Sequence, residues 1–486
     1  MHGRRQIAKG AVWRVIEVMG AEFFAFAAFI ISARLLMPSE VGVVAQATLF
    51  VLTAQMLLHQ GLGEALIQSD EVSVEHFSSA FWTNLAVGVT VAVLLIMIAG
   101  PAARLLDEPL LEDVLQALSP ILILFAASGI YQAKLRRELL LRGFAFASVL
   151  ASLSGGTMAV TLAWSGYGVW SLVAQQWTYA SVSLVVFAIF SGWLPSFYLA
   201  KDHVRKLGAF GGLATLSALL QLSMRRLDLL ILGYFLPTLQ VGFYSVANRL
   251  MMSAGMLTYY SIQQIGLPVL ARLAHDPKAH RQAINRTLRL VALICLPTLI
   301  GLALIADIAI PMALGEKWLG SVKPFQMLCA FGIFYAMAHI IGQILLSAGF
   351  AGLFAKLSAI NVVMFLAAVI LAAPFGPTAA AFAGGIANLL ALPIYLGALK
   401  HNLRFNVRQC FLDQWPIWIA AGTMIITVES WSHLAHEHVG AGWLLIGCIF
   451  TGGLTFVTAM LVLSYQDVKE ICGSFWEILG ARANSL

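Results

Sequence analysis

Charge stands in the middle of two long apolar stretches that meet near Pro237. Arg225, Arg226 and Asp228 lie on the first and Arg249 on the second. Arg225 precedes the proline by twelve residues and Arg249 follows it by twelve, so in two antiparallel helices of equal rise the guanidiniums share one depth. An ion in hydrocarbon costs about 2.5–3.5 kcal/mol even on the lenient insertion scales, so such residues face a protein interior or a watery cavity. Two cations at one depth make a site for an anion. The competing reading comes from Arg225 and Asp228, which are spaced i, i+3 on one helix face and can pair inside the bundle. Arg226 faces elsewhere and suits an interhelical partner or a snorkelling geometry.

A second group surrounds Pro38. Glu17 lies 21 residues before this proline and His59 21 after it, while Arg14 and Glu64 lie 24 before and 26 after. Glu22 is level with Gln55, one residue aside. A carboxylate in a low-dielectric site has its proton affinity raised, and a nearby histidine gives it a proton partner. Glu17, Glu22, His59 and Glu64 are therefore candidates for coupling to a proton or sodium gradient, with Asp307 as a lone acid of the same kind. A satisfied polar cluster clamping two helices is the alternative. Tyr259 and Tyr260 are candidates for stacking on a sugar ring, against ordinary bundle packing. His433, His436 and His438 are spaced loosely like metal ligands but have no matching partner elsewhere, and a solvated loop explains them. The sequence offers no metal site and no bound cofactor.

The elements that position these residues follow from composition. The chain has 486 residues, 60% hydrophobic and 11% charged, with a mean hydropathy of +0.87. A soluble domain carries about 25% charged residues, so this is a polytopic, all-α membrane protein. A span needs about 20 apolar residues. On that rule fourteen spans are expected, near 10–35, 41–67, 78–104, 114–133, 144–165, 168–192, 208–235, 239–266, 288–314, 322–348, 353–374, 377–400, 415–434 and 441–465. The N-terminus has basic flanks and no small-residue cleavage site, which predicts an uncleaved first span.

Lys and Arg set the orientation. With the N-terminus inside, 21 of the 29 basic residues fall in cytoplasmic segments, four in outside loops and four within spans. Both termini are expected in the cytoplasm, and the net charge of +6 reflects this bias and not a nucleic-acid surface. The stretches 193–208 and 401–414 read as interfacial helices or basic loops. The five cysteines are scattered, which predicts inert thiols and no disulfide.

The chain also repeats itself. Val41-Gly42 returns as Val241-Gly242, with one residue inserted after the preceding proline, and Gly143-Phe144-Ala145 returns as Gly349-Phe350-Ala351. Two six-helix halves are expected, 1–200 and 201–400, followed by two further helices and a tail at 401–486. Six is even, so the halves share one topology and relate by an axis along the membrane normal.

The stretch LDLLILGYFLPTLQVGFYSVANRL, followed by a long helix and LPVLARLAHDPKAH, resembles the polysaccharide-transporter branch of the multidrug/oligosaccharidyl-lipid/polysaccharide flippase superfamily. ISARLLMPSEVGVVAQ resembles the first hairpin of the same branch. The resemblance covers essentially the whole chain and implies a V-shaped pair of bundles around a central cavity. Its Wzx-type members move undecaprenyl-pyrophosphate-linked oligosaccharide units to the periplasmic leaflet for exopolysaccharide, capsule or O-antigen assembly by alternating access. It further implies a bacterial inner-membrane location and a functional link to a polymerase and glycosyltransferases. Arginine suits a pyrophosphate because its N–H fork grips phosphate oxygens bidentately. The family's helix-8 arginine falls on Arg249, within YSVANRL. Arginines that relatives carry along helices 1 and 2 are largely missing here, leaving Arg14 alone in helix 1. An ion-coupled drug antiporter of the same superfamily would want a cavity dominated by acids. A polymerase or glycosyltransferase would want a large loop with an acidic pair, and the chain has no DxD element.

Overall fold

A computed structural model describes residues 16–59, 63, 66–67, 73–198, 227–273, 275–435 and 438–465. Every regular element among them is helical. Among the described residues ten helices are long and apolar enough to cross a membrane, or eleven if a bent pair counts as one span. The protein is a multi-pass membrane protein. The expected seventh span lies mostly outside the described residues.

Prolines punctuate the first elements. A short π-helical turn at Ile16–Gly20 leads into α1 (Ala21–Leu35). Leu36 then turns extended and ends α1, and α2 (Pro38–His59) starts on Pro38, where the missing N–H costs nothing. The Met37 N–H instead donates to Glu40 Oε2 at 2.7 Å. α3 is Val74–Leu105. The expected fourth span is two pieces, α4 (Pro109–Leu118) and α5 (Ile121–Arg137). Pro120 has no N–H for the helical ladder, and the Ser119 hydroxyl donates back to the Leu115 carbonyl at 2.6 Å. α6 (Leu141–Trp164) and α7 (Val169–Ser191) follow, and α8 is the helical stretch 227–235.

The helices after Pro237 are α9 (Thr238–Leu257), α10 (Tyr259–Leu273), α11 (Pro277–Leu314), α12 (Val322–Ser347), α13 (Ala351–Ala372) and α14 (Pro377–Leu403). Beyond a short helix α15 (Val407–Asp413) follow α16 (Trp415–Ala435) and α17 (Ala441–Leu463). α15 meets α16 at 43° and, with the last three residues of α14, supplies the helical part of the 401–414 stretch. The other such stretch behaves differently. Residues 193–198 are not helical and strap the start of α3, with the Trp82 indole donating to the Ser196 carbonyl at 2.9 Å and Phe197 stacked on Trp82.

The chain divides into two compact units, Met1–Ser245 and Val246–Leu486. In the first, the broken pair α4–α5 is the centre, and Leu111, Leu115, Leu118, Ile121 and Leu122 are fully buried. In the second, the centre is α12, whose neighbours are α10, α11, α13 and α14. Small residues set the helix spacing, as expected where lipid is as apolar as leucine. Gly88 of α3 faces Ala126 of α5, and Gly332 of α12 faces Met251 of α9 and Leu299 of α11.

The order of neighbours is the same in both units. α3 packs on α5, α5 on α7 and α6 on α7; correspondingly α11 packs on α12, α12 on α14 and α13 on α14. The Gly-Phe-Ala match is nevertheless out of register. Gly349 takes the left-handed cap after α12 (φ +89°), whereas after α5 that position belongs to Leu139 (φ +56°), and Gly143 lies inside α6 against Phe190. The backbone bonds confirm this pairing, because Leu140 N–H reaches Leu135 and Phe350 N–H reaches Leu345 across equivalent turns. α16 and α17 pair with each other and with α11. Cys295, Cys329, Cys410 and Cys448 are buried free thiols.

Candidate functional site

The hairpin around Pro237 is built on close contact with the equivalent hairpin around Pro38. A β-carbon on Gly42 would fall onto the Thr238 carbonyl oxygen, and one on Gly242 onto the Pro38 carbonyl oxygen. The contact is reciprocal: the first residue of each helix faces the fifth residue of the other. The sequence match at Val-Gly therefore marks a close contact between two helix starts within the first unit. The Thr238 hydroxyl also donates to Glu108 Oε2, tying the start of α9 to the N-terminal end of α4. One turn along α2, Gln46 is fully buried against Gly233, and neither amide atom has a hydrogen-bond partner among the described residues.

Asp228 is 5% exposed and firmly held. The Tyr244 hydroxyl donates to its Oδ2 and the Leu229 N–H to its Oδ1, both at 2.9 Å. The carboxylate thus fastens α8 to α9 inside the first unit. Hydrogen bonds to charged groups contribute about 1.5–3 kcal/mol, and more is lost when a buried partner is left behind. Tyr244→Phe is expected to lower stability by about 2 kcal/mol on that ground, read as a fall in the thermal unfolding midpoint of purified protein. An unchanged midpoint would show that this bond is not what holds the hairpin.

Arg249 sits half-buried on α9, beside the buried Asn248 and four residues before the buried Ser253. Thr258 interrupts the helix between α9 and α10. Its hydroxyl donates to the Ala254 carbonyl at 2.9 Å, a back-bond that bends helices. Gly255 makes room for the ring of Tyr259 beyond the break, since a β-carbon there would lie 2.6 Å from the tyrosine hydroxyl. Tyr259 is fully buried, and Tyr260 packs on it with ring centroids 4.5 Å apart.

Two residues that the sequence reading did not single out complete this cluster. Tyr335 and His339 lie one turn apart on α12 with their rings near parallel, 5.9 Å between centroids. His339 Nε2 and Gln263 Oε1 of α10 are 2.8 Å apart, and Tyr260 lies 5.5 Å from the imidazole. A lone histidine within an apolar span is the sequence signal that marks this place.

Two of the coupling candidates have described side chains, one in each unit. Asp307, exposed on α11, accepts a bond of 3.2 Å from Gln326 of α12. Glu22 is half-buried on α1. Arg14, Glu64, Arg225 and Arg226, with the side chains of Glu17 and His59, lie outside the described residues.

Residues 31–323 match the model of a family described as "Polysaccharide biosynthesis protein". The chain belongs to this polysaccharide biosynthesis protein family. Its relatives include the succinoglycan biosynthesis transport protein ExoT of Rhizobium meliloti (strain 1021), 27% identical over 65% of this chain and 64% of that protein. The chain thus spans just under two thirds of that relative. The lipopolysaccharide biosynthesis protein WzxC of Escherichia coli (strain K12) is 23% identical over 87% of both chains. Teichuronic acid biosynthesis protein TuaB of Bacillus subtilis (strain 168) is 23% identical over 72% of this chain and 73% of its own. Among solved structures, the lipid II flippase MurJ in its inward closed conformation matches with a TM-score of 0.78 at 14% identity, over 94% of this chain and 99% of that one. An inward-facing multidrug resistance MATE family transporter of the MOP superfamily matches with a TM-score of 0.61 at 13% identity, over 80% and 98%. This polysaccharide biosynthesis protein therefore has the fold of the MOP superfamily.

Proposed function

We propose that the protein is a flippase that carries undecaprenyl-pyrophosphate-linked oligosaccharide repeat units from the cytoplasmic to the periplasmic leaflet of the bacterial inner membrane. It works by alternating access and performs no covalent chemistry of its own. Arg249 carries this reading: a half-buried guanidinium on an apolar helix, in a chain of the polysaccharide biosynthesis family. A guanidinium at that position offers a planar fork of N–H donors that grips the oxygens of a pyrophosphate bidentately. The named relatives support the substrate class, since they serve succinoglycan, teichuronic acid and lipopolysaccharide biosynthesis. The bias of Lys and Arg toward alternate connections supports cytoplasmic termini. Glu22 and Asp307 are the described acids through which a proton or sodium gradient would drive the cycle.

Depletion of the protein in its host is expected to accumulate an undecaprenyl-pyrophosphate oligosaccharide on the cytoplasmic leaflet, detected by lipid extraction and mass spectrometry. Absence of any such intermediate, with raised sensitivity to cationic dyes, would replace this reading with a drug antiporter.

A further inference from the structure

Most of the second half of α12 is buried: between Gly332 and Leu345 the half-open positions are Phe334, Tyr335, His339 and Gln343. Three of the four fall on one line, i, i+4, i+8, and all three carry polar groups. A polar line on lipid would be costly in hydrocarbon, and a line on the most enclosed helix of the unit has little lipid to face. It marks a water-accessible surface inside the bundle. Counting at 1.5 Å per residue from the end of α12 at Ser347, Gln343, His339 and Tyr335 stand about 6, 12 and 18 Å in. The line therefore leads from the helix end into the span.

α10 presents Tyr260 and Gln263 to the same place. With Gln263 Oε1 facing it, His339 Nε2 is the donor, and the Gln263 amide NH2 is left for another acceptor. Among the described residues neither Gln263, beyond that bond, nor Gln343 makes a side-chain hydrogen bond. Two half-open aromatic rings, an imidazole and two amides are thus gathered on one wetted face. Tyr259 packs behind them as a buried floor. Rings of this kind cover the C–H faces of a pyranose, while amides bond to its hydroxyls in either direction.

We propose that Tyr260, Gln263, Tyr335, His339 and Gln343 form a subsite for a sugar ring of the lipid-linked oligosaccharide, distinct from the anion site at Arg249. The proposal rests on the flippase reading. Arg249 precedes Tyr260 by eleven residues, at most about 16 Å of helical rise across the break at Thr258, so one ligand with a pyrophosphate at one end and sugar rings at the other engages both.

The test is binding by the full-length protein in lipid nanodiscs. One probe is bare undecaprenyl pyrophosphate, and the other is the sugar-bearing lipid pool extracted from cells lacking this protein. Tyr260→Ala and Gln263→Ala are expected to weaken binding of the sugar-bearing pool about tenfold, the loss of one or two good contacts, and to leave bare undecaprenyl pyrophosphate unchanged. Tyr260→Phe, which keeps the ring, is expected within about twofold of the parent. Equal losses for both probes, or no loss for either, would overturn the subsite. A parent protein that binds bare lipid as tightly as the sugar-bearing pool would overturn the subsite alone. One that binds neither would overturn the flippase reading beneath it. Should Tyr260→Ala fail to fold, Gln263→Ala, a truncation at a half-open side chain, decides the question.

Discussion

Alanine at Gly242 is expected to destabilise the protein by about 2–4 kcal/mol, with Gly42→Ala close behind. The added methyl at either position coincides with a backbone carbonyl oxygen of the opposite helix. Neither oxygen can swing aside as the end of a flexible side chain would, because each belongs to the first residue of a helix. The two helix starts must separate instead, and the Thr238–Glu108 bond separates with them. The same substitution elsewhere supplies the contrast. Gly422 lies within α16, where an added methyl would meet nothing within 4 Å, and alanine there is expected to be neutral or to stabilise by about 0.5–1 kcal/mol. Thermal unfolding of the three purified variants separates the effects. Equal midpoints for Gly242→Ala and Gly422→Ala would show that the interlock is not a structural constraint.

The second large effect concerns Arg249. Arg249→Ala is expected to lower transport by about a hundredfold or more, since truncating one partner of a hydrogen-bonded charge pair costs about 2–5 kcal/mol. The loss falls on transport and not on folding, because alanine is the best helix former and the site is only half-buried. Arg249→Lys separates charge from geometry. Lysine keeps the cation but loses the planar fork that grips two oxygens at once, so partial activity is expected. Full activity of the alanine variant would remove Arg249 as a ligand of the anion.

The all-helical membrane class was legible because it rests on a coarse signal, runs of apolar residues, whereas the fourteen expected spans compare with ten or eleven among the described residues. A Val-Gly pair at a fixed offset was the other coarse signal. The pair was more than a trace of duplication, since its glycines make the contact itself. The Gly-Phe-Ala match misled by four residues at the corresponding turn. There a leucine takes the left-handed position that glycine fills in the second repeat, so identity of residue did not track identity of role. The break at Thr258 was hidden because threonine satisfies its own bend by bonding back to Ala254, leaving no proline or charge to announce it. Tyr259 and Tyr260 were found as aromatics, but sequence could not show that one is buried and the other half-open. His339, Gln263 and Gln343 were missed because polar residues four apart are diluted by the apolar residues between them when a span is scored as a whole. Asp228 was read beside Arg225, which lies outside the described residues; what the spacing did not show is that Tyr244, sixteen residues away across the hairpin, donates to it.

Translocation by purified protein in sealed vesicles tests the flippase reading most directly. The sugar-bearing undecaprenyl pyrophosphate pool is placed in the vesicles, and its arrival at the outer leaflet is read by cleavage with an added glycosidase under proton or sodium gradients. The parent protein is expected to expose the pool and Arg249→Ala to leave it protected. Protection by the parent under every gradient, or equal exposure by the variant, would contradict a flippase that holds its substrate through Arg249.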